Sequence, residues 1–184
     1  MANADAAFGL VPIRHMSGAT IRMNPYTITS ALAENIFNGD LCIITSGGVV
    51  TPHTATEVNN IGVFAGVNYT ASDGSYVYSE YWPSGTTATD IVALIYDDPQ
   101  IVYKCQSAGT PAQTNIGNCC DMVAGAGSTL TGQSGFELSG TMAAGTATCK
   151  IIALHNSPDN AFGANAVMEV IVSEHLLGNN VAGI

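Results

Sequence analysis

The sequence predicts an all-β protein, a compact barrel or sandwich with long loops and an extended N-terminal arm. Two observations predict this class. Thr, Val and Ile are abundant, whereas Leu, Glu, Lys and Arg, which favour helices, are scarce. Short β-type runs also alternate with Gly, Asn, Asp, Ser and Pro, which is typical of a sandwich or barrel.

The arm is predicted over residues 1–25, and a single β domain over residues 26–184. Near its start, Phe8-Gly9-Leu10-Val11-Pro12-Ile13 is apolar but is interrupted by Gly and Pro. Such a terminal segment drapes over a neighbouring subunit or over its own domain. Residues 26–29 then alternate as a short first strand of the domain.

A β-hairpin is the clearest local signal in the first half of the chain. Asn38-Gly39-Asp40 is a turn that leads into an apolar run at residues 41–45. Ser46-Gly47-Gly48 is a second turn, after which residues 49–51 return. Two β-type runs joined by a Gly-containing loop predict a hairpin.

The remaining strands are predicted from runs that are apolar or alternating and that end at turn residues. They are residues 61–67, 76–82, 91–96, 101–106, 119–123, 136–138, 147–155 and 167–176. Residues 71–75 and Ser157-Pro158-Asp159-Asn160 are predicted turns, because Gly, Asp, Asn and Pro favour turn conformations. Residues 107–118 and 124–134 are predicted loops.

The amino-acid composition limits which classes of function are expected. The chain has 184 residues, enough for one domain, and only 10% of them are charged, against about 25% in an average soluble domain. A weakly charged surface suits a protein that stays in contact with other proteins. The net charge of −10 comes from 14 acidic and 4 basic residues.

Nucleic acid and membranes are not expected partners. Arg14, Arg22, Lys104 and Lys150 are scattered, so they form no basic patch for phosphates or anionic lipids. No apolar run approaches the ~20 residues of a transmembrane helix. The N-terminus does not resemble a signal peptide, so we expect folding in a reducing cytoplasm. The five cysteines are then expected as buried thiols, with disulfides as the less favoured alternative.

Catalytic, cofactor and metal sites are not predicted. Asp97-Asp98 would suit a metal or a shared proton, but two acids before Pro99 more often form a turn. The four histidines are far apart in sequence and form no ligand pair. Cys119-Cys120 lacks the C-x-x-C spacing of a zinc site, which favours a packed apolar segment.

The aromatic strand has two interpretations. Tyr76 and Tyr78 share one face, and Tyr81 and Trp82 follow. The stripe suits a carbohydrate or partner platform, because Tyr and Trp are enriched at the centres of interfaces. It equally suits the edge of a core whose hydroxyl groups reach water.

An ordered set of segments resembles small phage structural proteins encoded near the major capsid protein. These segments span nearly the whole chain: residues 7–15, Asn38-Gly39-Asp40, residues 81–86, Asp97-Asp98-Pro99 with Gln106, residues 115–118, residues 131–135, residues 157–160 and Glu174-His175. Members of this group are regarded as cement or decoration proteins of HK97-like shells. The resemblance implies that role and implies no catalytic residues, while Cys105 and Cys119-Cys120 depart from the family pattern.

We therefore expect a non-enzymatic cement subunit on the outer capsid surface of a virion, made in the host cytoplasm. Its expected partners are the major capsid protein and further copies of itself, as a homo-trimer in preference to a homo-dimer. We expect no cofactor. The predicted contact residues lie in the arm and in the aromatic strand: Phe8, Leu10, Val11, Pro12 and Ile13, and Tyr78, Tyr81 and Trp82.

Three alternatives remain open. The first is another virion component, such as a tail protein or the base of a head fibre. The shell protein itself is disfavoured, because an HK97-type subunit needs a long helix and a longer chain. The second is a carbohydrate-binding β domain that uses the Tyr/Trp stripe. A hydrolase with a dispersed site ranks last, because no nucleophile–base pair is suggested.

Overall fold

The fold is all-β, as the sequence predicts. A computed structural model describes residues 3–54 and 57–178. In these ranges the regular elements are β-strands, apart from one 3-10 turn at Gln113–Asn115. No helix in the same ranges has the length and apolar character needed to cross a bilayer.

The strands are short, and most lie where the sequence predicts them. In chain order they are β1 (Val11–His15), β2 (Asn24–Tyr26), β3 (Leu41–Ile44), β4 (Val50–Pro52), β5 (Asn60–Ala71), β6 (Tyr76–Ser79), β7 (Ala88–Tyr96), β8 (Ile101–Gln106), β9 (Cys119–Cys120), β10 (Met122–Val123), β11 (Glu137–Leu138), β12 (Cys149–Leu154) and β13 (Val167–Val172).

Two antiparallel sheets form the body of the domain. One has the strand order β1-β8-β13-β12-β9, and the other has the order β2-β7-β5-β3-β4 with β6 also paired to β5. Strands β10 and β11 form a small third sheet. Among the described residues no sheet closes into a barrel, and the arrangement is consistent with a β-sandwich.

Two apolar clusters hold the sheets. The first contains the inward side chains of β8 and β13, such as Tyr103 and Met168, together with Leu41 and Val63 from the other sheet. The second contains Phe64, Val67, Trp82 and Ile95, among others. Burial of each large apolar side chain stabilises the fold by about 1.5–3 kcal/mol, so these clusters dominate its stability.

Strand β13 shows why the alternating pattern predicts correctly. Met168, Val170 and Val172 are buried, while the residues between them are half-buried. Because successive side chains of a strand point to opposite faces, every second residue enters the core. The C-terminal strand was predicted as far as residue 176, but it ends at Val172.

The turn between β5 and β6 forms as predicted over residues 71–75. The Ala71 N–H donates to the Ser75 carbonyl at 2.9 Å, and the Gly74 N–H donates to the Ala71 carbonyl at 2.9 Å. Gly74 has a φ of +86°, a left-handed conformation that glycine adopts without a steric penalty. A turn followed by a left-handed residue is a common three-residue hairpin loop.

The predicted arm contains regular structure. Strand β1 pairs antiparallel with β8, with a bulge between Pro12 and Arg14. Strand β2 lies at residues 24–26, two residues earlier than the strand predicted at residues 26–29. Part of the arm is therefore an edge strand of the five-stranded sheet, while the division of the chain at residue 25 stays a prediction.

Candidate contact surface

The segment before β1 is fixed to its own domain by side-chain hydrogen bonds. The Asn3 amide donates to the carbonyl oxygens of Ala161 and Ala164 at 2.9 and 2.8 Å. The Ala6 N–H donates to the Gln106 side-chain oxygen at 2.9 Å. These bonds hold an otherwise extended segment along the edge of the five-stranded sheet, where its side chains line the surface.

The predicted contact residues of the arm differ in accessibility. Phe8 is half-buried, and the Lys104 Nζ lies 5.8 Å from the centre of its ring. Val11, Pro12 and Ile13 of β1 are also half-buried. Leu10 is only 1% exposed, because it belongs to the first core cluster. Contact with a partner through Leu10 would require this packing to open.

The predicted contact residues of the aromatic strand also differ in accessibility. Tyr78 is 59% exposed, and its neighbour Tyr76 is 71% exposed. Tyr81 is half-buried and stacks on Phe37, with 5.4 Å between the ring centroids. Trp82 is fully buried and belongs to the second core cluster, because strand β6 ends at Ser79 and the alternation does not continue.

A cleft brings the two predicted regions together. Its volume is about 380 Å³, and it is lined by Phe8, Val11, Asn38, Glu80, Thr131 and Gln133. The arm thus meets Glu80, which directly follows β6, although the two lie more than 60 residues apart in sequence. The sequence indicated both regions but not that they are adjacent, because long-range packing decides that.

Leu130 is the most exposed of the large apolar side chains described, at 93%. Its loop is fixed: the Ser128 N–H donates to the Gln133 carbonyl at 2.9 Å, and the Gly132 N–H donates to the Ser128 carbonyl at 2.8 Å. The Asn38 N–H donates in turn to the Gly132 carbonyl at 2.9 Å. Sequence reasoning missed this residue; the signal was a lone Leu within a Gly-, Ser- and Thr-rich loop.

The adjacent acids Asp97 and Asp98 have separate structural partners. Both oxygens of Asp97 accept from the Asn24 amide, at 2.8 and 3.0 Å, and Oδ2 also accepts from the Tyr26 hydroxyl at 2.7 Å. Asp98 accepts from the Gln100 N–H at 2.8 Å, as expected of a turn. In residues 3–54 and 57–178, no group of three His, Cys, Asp or Glu side chains is placed to hold a metal ion.

One serine, histidine and aspartate do come together. The Ser17 hydroxyl lies 2.9 Å from His15 Nδ1, and His15 Nε2 lies 3.0 Å from Asp98 Oδ2. The Ser17 N–H also donates to the same Nδ1 at 3.2 Å, so Nδ1 is the acceptor and Nε2 carries the proton. The hydroxyl and the backbone N–H of Ser17 thus share one nitrogen of His15 within a local turn.

The other buried histidines tie the end of the chain to the second sheet. His53 Nδ1 lies 2.8 Å from Asn60 Oδ1, and the Asn60 amide donates to the Glu174 carbonyl at 3.0 Å. Burial lowers the pKa of His175 to about 4, so this side chain is neutral at neutral pH. Both histidines are buried, and His53 Nδ1 also lies 3.4 Å from Glu57 Oε2.

Four of the five cysteines are buried, and all five are free thiols. Cys120 and Cys149 lie opposite each other in the β9–β12 pairing, within the first core cluster that also holds Cys105. Burial raises the pKa of the Cys120 thiol to about 12 and the pKa of Cys149 well above its ordinary value. Protonated thiols in a core behave as small apolar side chains.

Comparison with known proteins adds no relative. No protein-family model, curated protein or solved structure matches the chain.

Proposed function

We propose that this chain is a virion structural protein without enzymatic activity, a cement subunit that binds the outer surface of an HK97-like shell and stabilises contacts between major capsid protein subunits. The observation that carries the proposal is the exposure of large apolar side chains on fixed elements. Leu130 lies on a hydrogen-bonded loop and Tyr76 and Tyr78 on a strand, with exposures of 93%, 71% and 59%. Apolar groups that are held in water gain free energy when a partner covers them.

The charge distribution supports the same proposal. The net charge of −10 would complement basic patches on a shell exterior and would oppose contact with packaged DNA. Few charges on the remaining surface lower the desolvation cost of broad contact with neighbouring proteins. Many copies of modest affinity then hold a shell together, because each bound copy bridges several subunits.

The arm is proposed to contribute to the contact through its accessible residues. Phe8 and Val11 line the cleft, and Pro12 and Ile13 continue along β1 at the sheet edge. We assign Leu10 and Trp82 to the support of this surface from beneath, since both are buried. A partner that fills the cleft would cover the apolar side chains of the arm and contact Glu80 at the same time.

Co-sedimentation with shells assembled from the major capsid protein of the same virion tests the proposal. The variant Leu130→Ser should lower the occupancy of the shell about tenfold, as expected for one buried apolar anchor. The matched control Val58→Ser, at a residue that is 52% exposed outside the cleft, should bind as wild type does. If wild-type protein fails to sediment with shells at any concentration, the proposal is wrong.

A carbohydrate-binding domain is the second candidate, and one observation favours it. Tyr76 and Tyr78 present two exposed rings on the same face of β6, which is the form of an aromatic platform for a sugar ring. A glycan array distinguishes the candidates. Binding of a defined glycan that is lost in Tyr76→Ala would support this candidate, whereas a silent array with intact shell binding would support the cement subunit.

A further inference from the structure

Within residues 3–54 and 57–178, no strand pairs with the second edge of β6. Strand β6 pairs with β5 in the register Tyr69 opposite Val77 and Val67 opposite Ser79. The Ala71 N–H donates to the Ser75 carbonyl, so Ala71 and Ser75 form a hydrogen-bonded pair. Hydrogen-bonded pairs recur at every second residue of an antiparallel ladder, so Tyr69–Val77 and Val67–Ser79 are also hydrogen-bonded pairs. Val77 and Ser79 therefore bond to β5, while the N–H and C=O groups of Tyr76 and Tyr78 point outward.

The other edge strands of the two main sheets, within residues 3–54 and 57–178, are obstructed. Pro12 and an adjacent bulge interrupt β1, Pro25 lies in β2, and Pro52 ends β4. At β9, the Cys119 backbone bonds to Ala143 on its outer side. Proline, bulges and covering segments are the usual means by which proteins prevent edge-to-edge pairing. Strand β6 has no proline, no charged residue and no bulge.

We propose that β6 pairs antiparallel with β6 of a second copy of this chain, about a two-fold axis at Val77. In this register Tyr76 of one copy lies opposite Tyr78 of the other, and each exchanges backbone N–H···O=C bonds with its partner. Because Tyr76 and Tyr78 share a face, the pairing places both side chains on the same face of the extended sheet, where the Tyr78 ring leans over Gly66 of its own β5.

A second copy fits this edge because the outward groups of Tyr76 and Tyr78 are symmetric about Val77, so the strand is complementary to itself. Strand β6 carries no charge of its own, but Asp73 and Glu80 flank it, and in this register Glu80 of one copy comes near Asp73 of the other. The pairing should therefore strengthen as salt screens these carboxylates. A closed ring of three or more subunits joined through β6 would need a second open strand edge on each subunit, and the other edges are obstructed.

The size of the edge indicates where the pairing operates. Four residues of strand bury far less than the about 1,200–2,000 Å² of a stable interface. Pairing is therefore weak in dilute solution and becomes strong where copies are concentrated, as on a shell that they share. It links neighbouring copies whatever surface concentrates them, so it does not depend on the proposed cement role.

Cross-linking of the whole chain in concentrated solution tests the pairing. At a two-fold axis the two Val77 residues form a non-hydrogen-bonded pair, with Cα atoms about 4.5 Å apart, a distance that a disulfide spans. With diamide as oxidant, Val77→Cys should form disulfide-linked dimers about tenfold faster than Leu130→Cys, a fully accessible control that reacts only by collision. Wild-type protein gives the background from the native cysteines.

Proline substitution provides the second measurement. The Tyr76 N–H points away from β5, so Tyr76→Pro blocks the outer edge without breaking the internal ladder. Added to Val77→Cys it should remove the dimers, whereas Tyr76→Ser, which keeps the N–H, should retain them. Tyr78→Pro repeats the test if Tyr76→Pro fails to fold. Equal cross-linking of Val77→Cys and Leu130→Cys would overturn the proposal, even if the chain binds shells.

Discussion

The ring of Tyr78 lies across the backbone of Gly66: a Cβ atom on Gly66 would come within 3.1 Å of the Tyr78 hydroxyl and 3.2 Å of the Ser79 carbonyl oxygen. Gly66 also has a φ of +148°, which L-residues rarely adopt. The position of an exposed ring on β6 therefore depends on a glycine of β5.

We expect Gly66→Ala to lower the free energy of unfolding by about 2–4 kcal/mol, from backbone strain together with steric overlap. Gly74→Ala is the matched control, because its φ is +86° but nothing lies within 4 Å of the added Cβ. That control should cost about 1–2 kcal/mol. Urea denaturation followed by Trp82 fluorescence measures both, and equal losses would show that Tyr78 is free to move aside.

Two titrating side chains, His175 and Asp40, should have opposite effects on the pH dependence of the free energy of unfolding, so their effects partly cancel. The pKa of His175 falls from 6.5 to about 4 on folding because of burial, so its contribution is complete above pH 6.5 and is lost as the pH falls toward 4. Burial raises the pKa of Asp40 from 3.8 to about 6, so its contribution is complete below pH 3.8 and is lost as the pH rises through 6.

Removal of either group should reveal the other. In Asp40→Asn the free energy of unfolding should rise by about 2–3 kcal/mol between pH 4 and 6.5, because the opposing contribution of Asp40 is removed while that of His175 stays. In His175→Gln it should instead fall as the pH rises from 4 to 6. Urea denaturation at several pH values checks both slopes, and parallel profiles for the two variants would contradict the assignment.

The thiols should react in two classes. Cys42, Cys105, Cys120 and Cys149 are buried, whereas Cys119 is half-exposed. We expect Ellman's reagent to label one thiol per native chain quickly and the others only after denaturation, because buried, protonated thiols are poor nucleophiles. Cys119→Ser should abolish the fast phase. A fast phase of more than one thiol would show that the core around β9 opens.

Ser17 should be unreactive despite its distance of 2.9 Å from His15 Nδ1. A fluorophosphonate probe, which labels activated serines, should label neither the wild-type chain nor Ser17→Ala. Labelling that is present in the wild type and absent in Ser17→Ala would contradict a protein without enzymatic activity. It would revive the hydrolase alternative with His15 and Asp98 as the supporting residues.

Local patterns predict much of the fold. Strand β8 lies at residues 101–106 as the alternation indicates, and the hairpin of β3 and β4 forms at its predicted turn. Both depend on short-range rules, namely turn residues and the two-residue period of a strand. The aromatic run was predicted as one strand through residue 82, but β6 ends at Ser79. Trp82 then turns into the core.

The candidate surface was less predictable, because it depends on long-range packing. Phe8 and Glu80 line the same cleft only because β1 joins the five-stranded sheet beside the loop that holds Thr131. His15 and Asp98 are 83 residues apart in sequence, so no spacing rule suggests their contact. Contact roles for the arm and the aromatic strand stay predictions.

Cryo-electron microscopy of the virion that carries this chain tests the central claim most directly. We predict density for the chain on the outer face of the shell, with Phe8, Val11 and Leu130 against major capsid protein subunits. Density for the chain within the tail, or its absence from the shell exterior, would contradict the proposal.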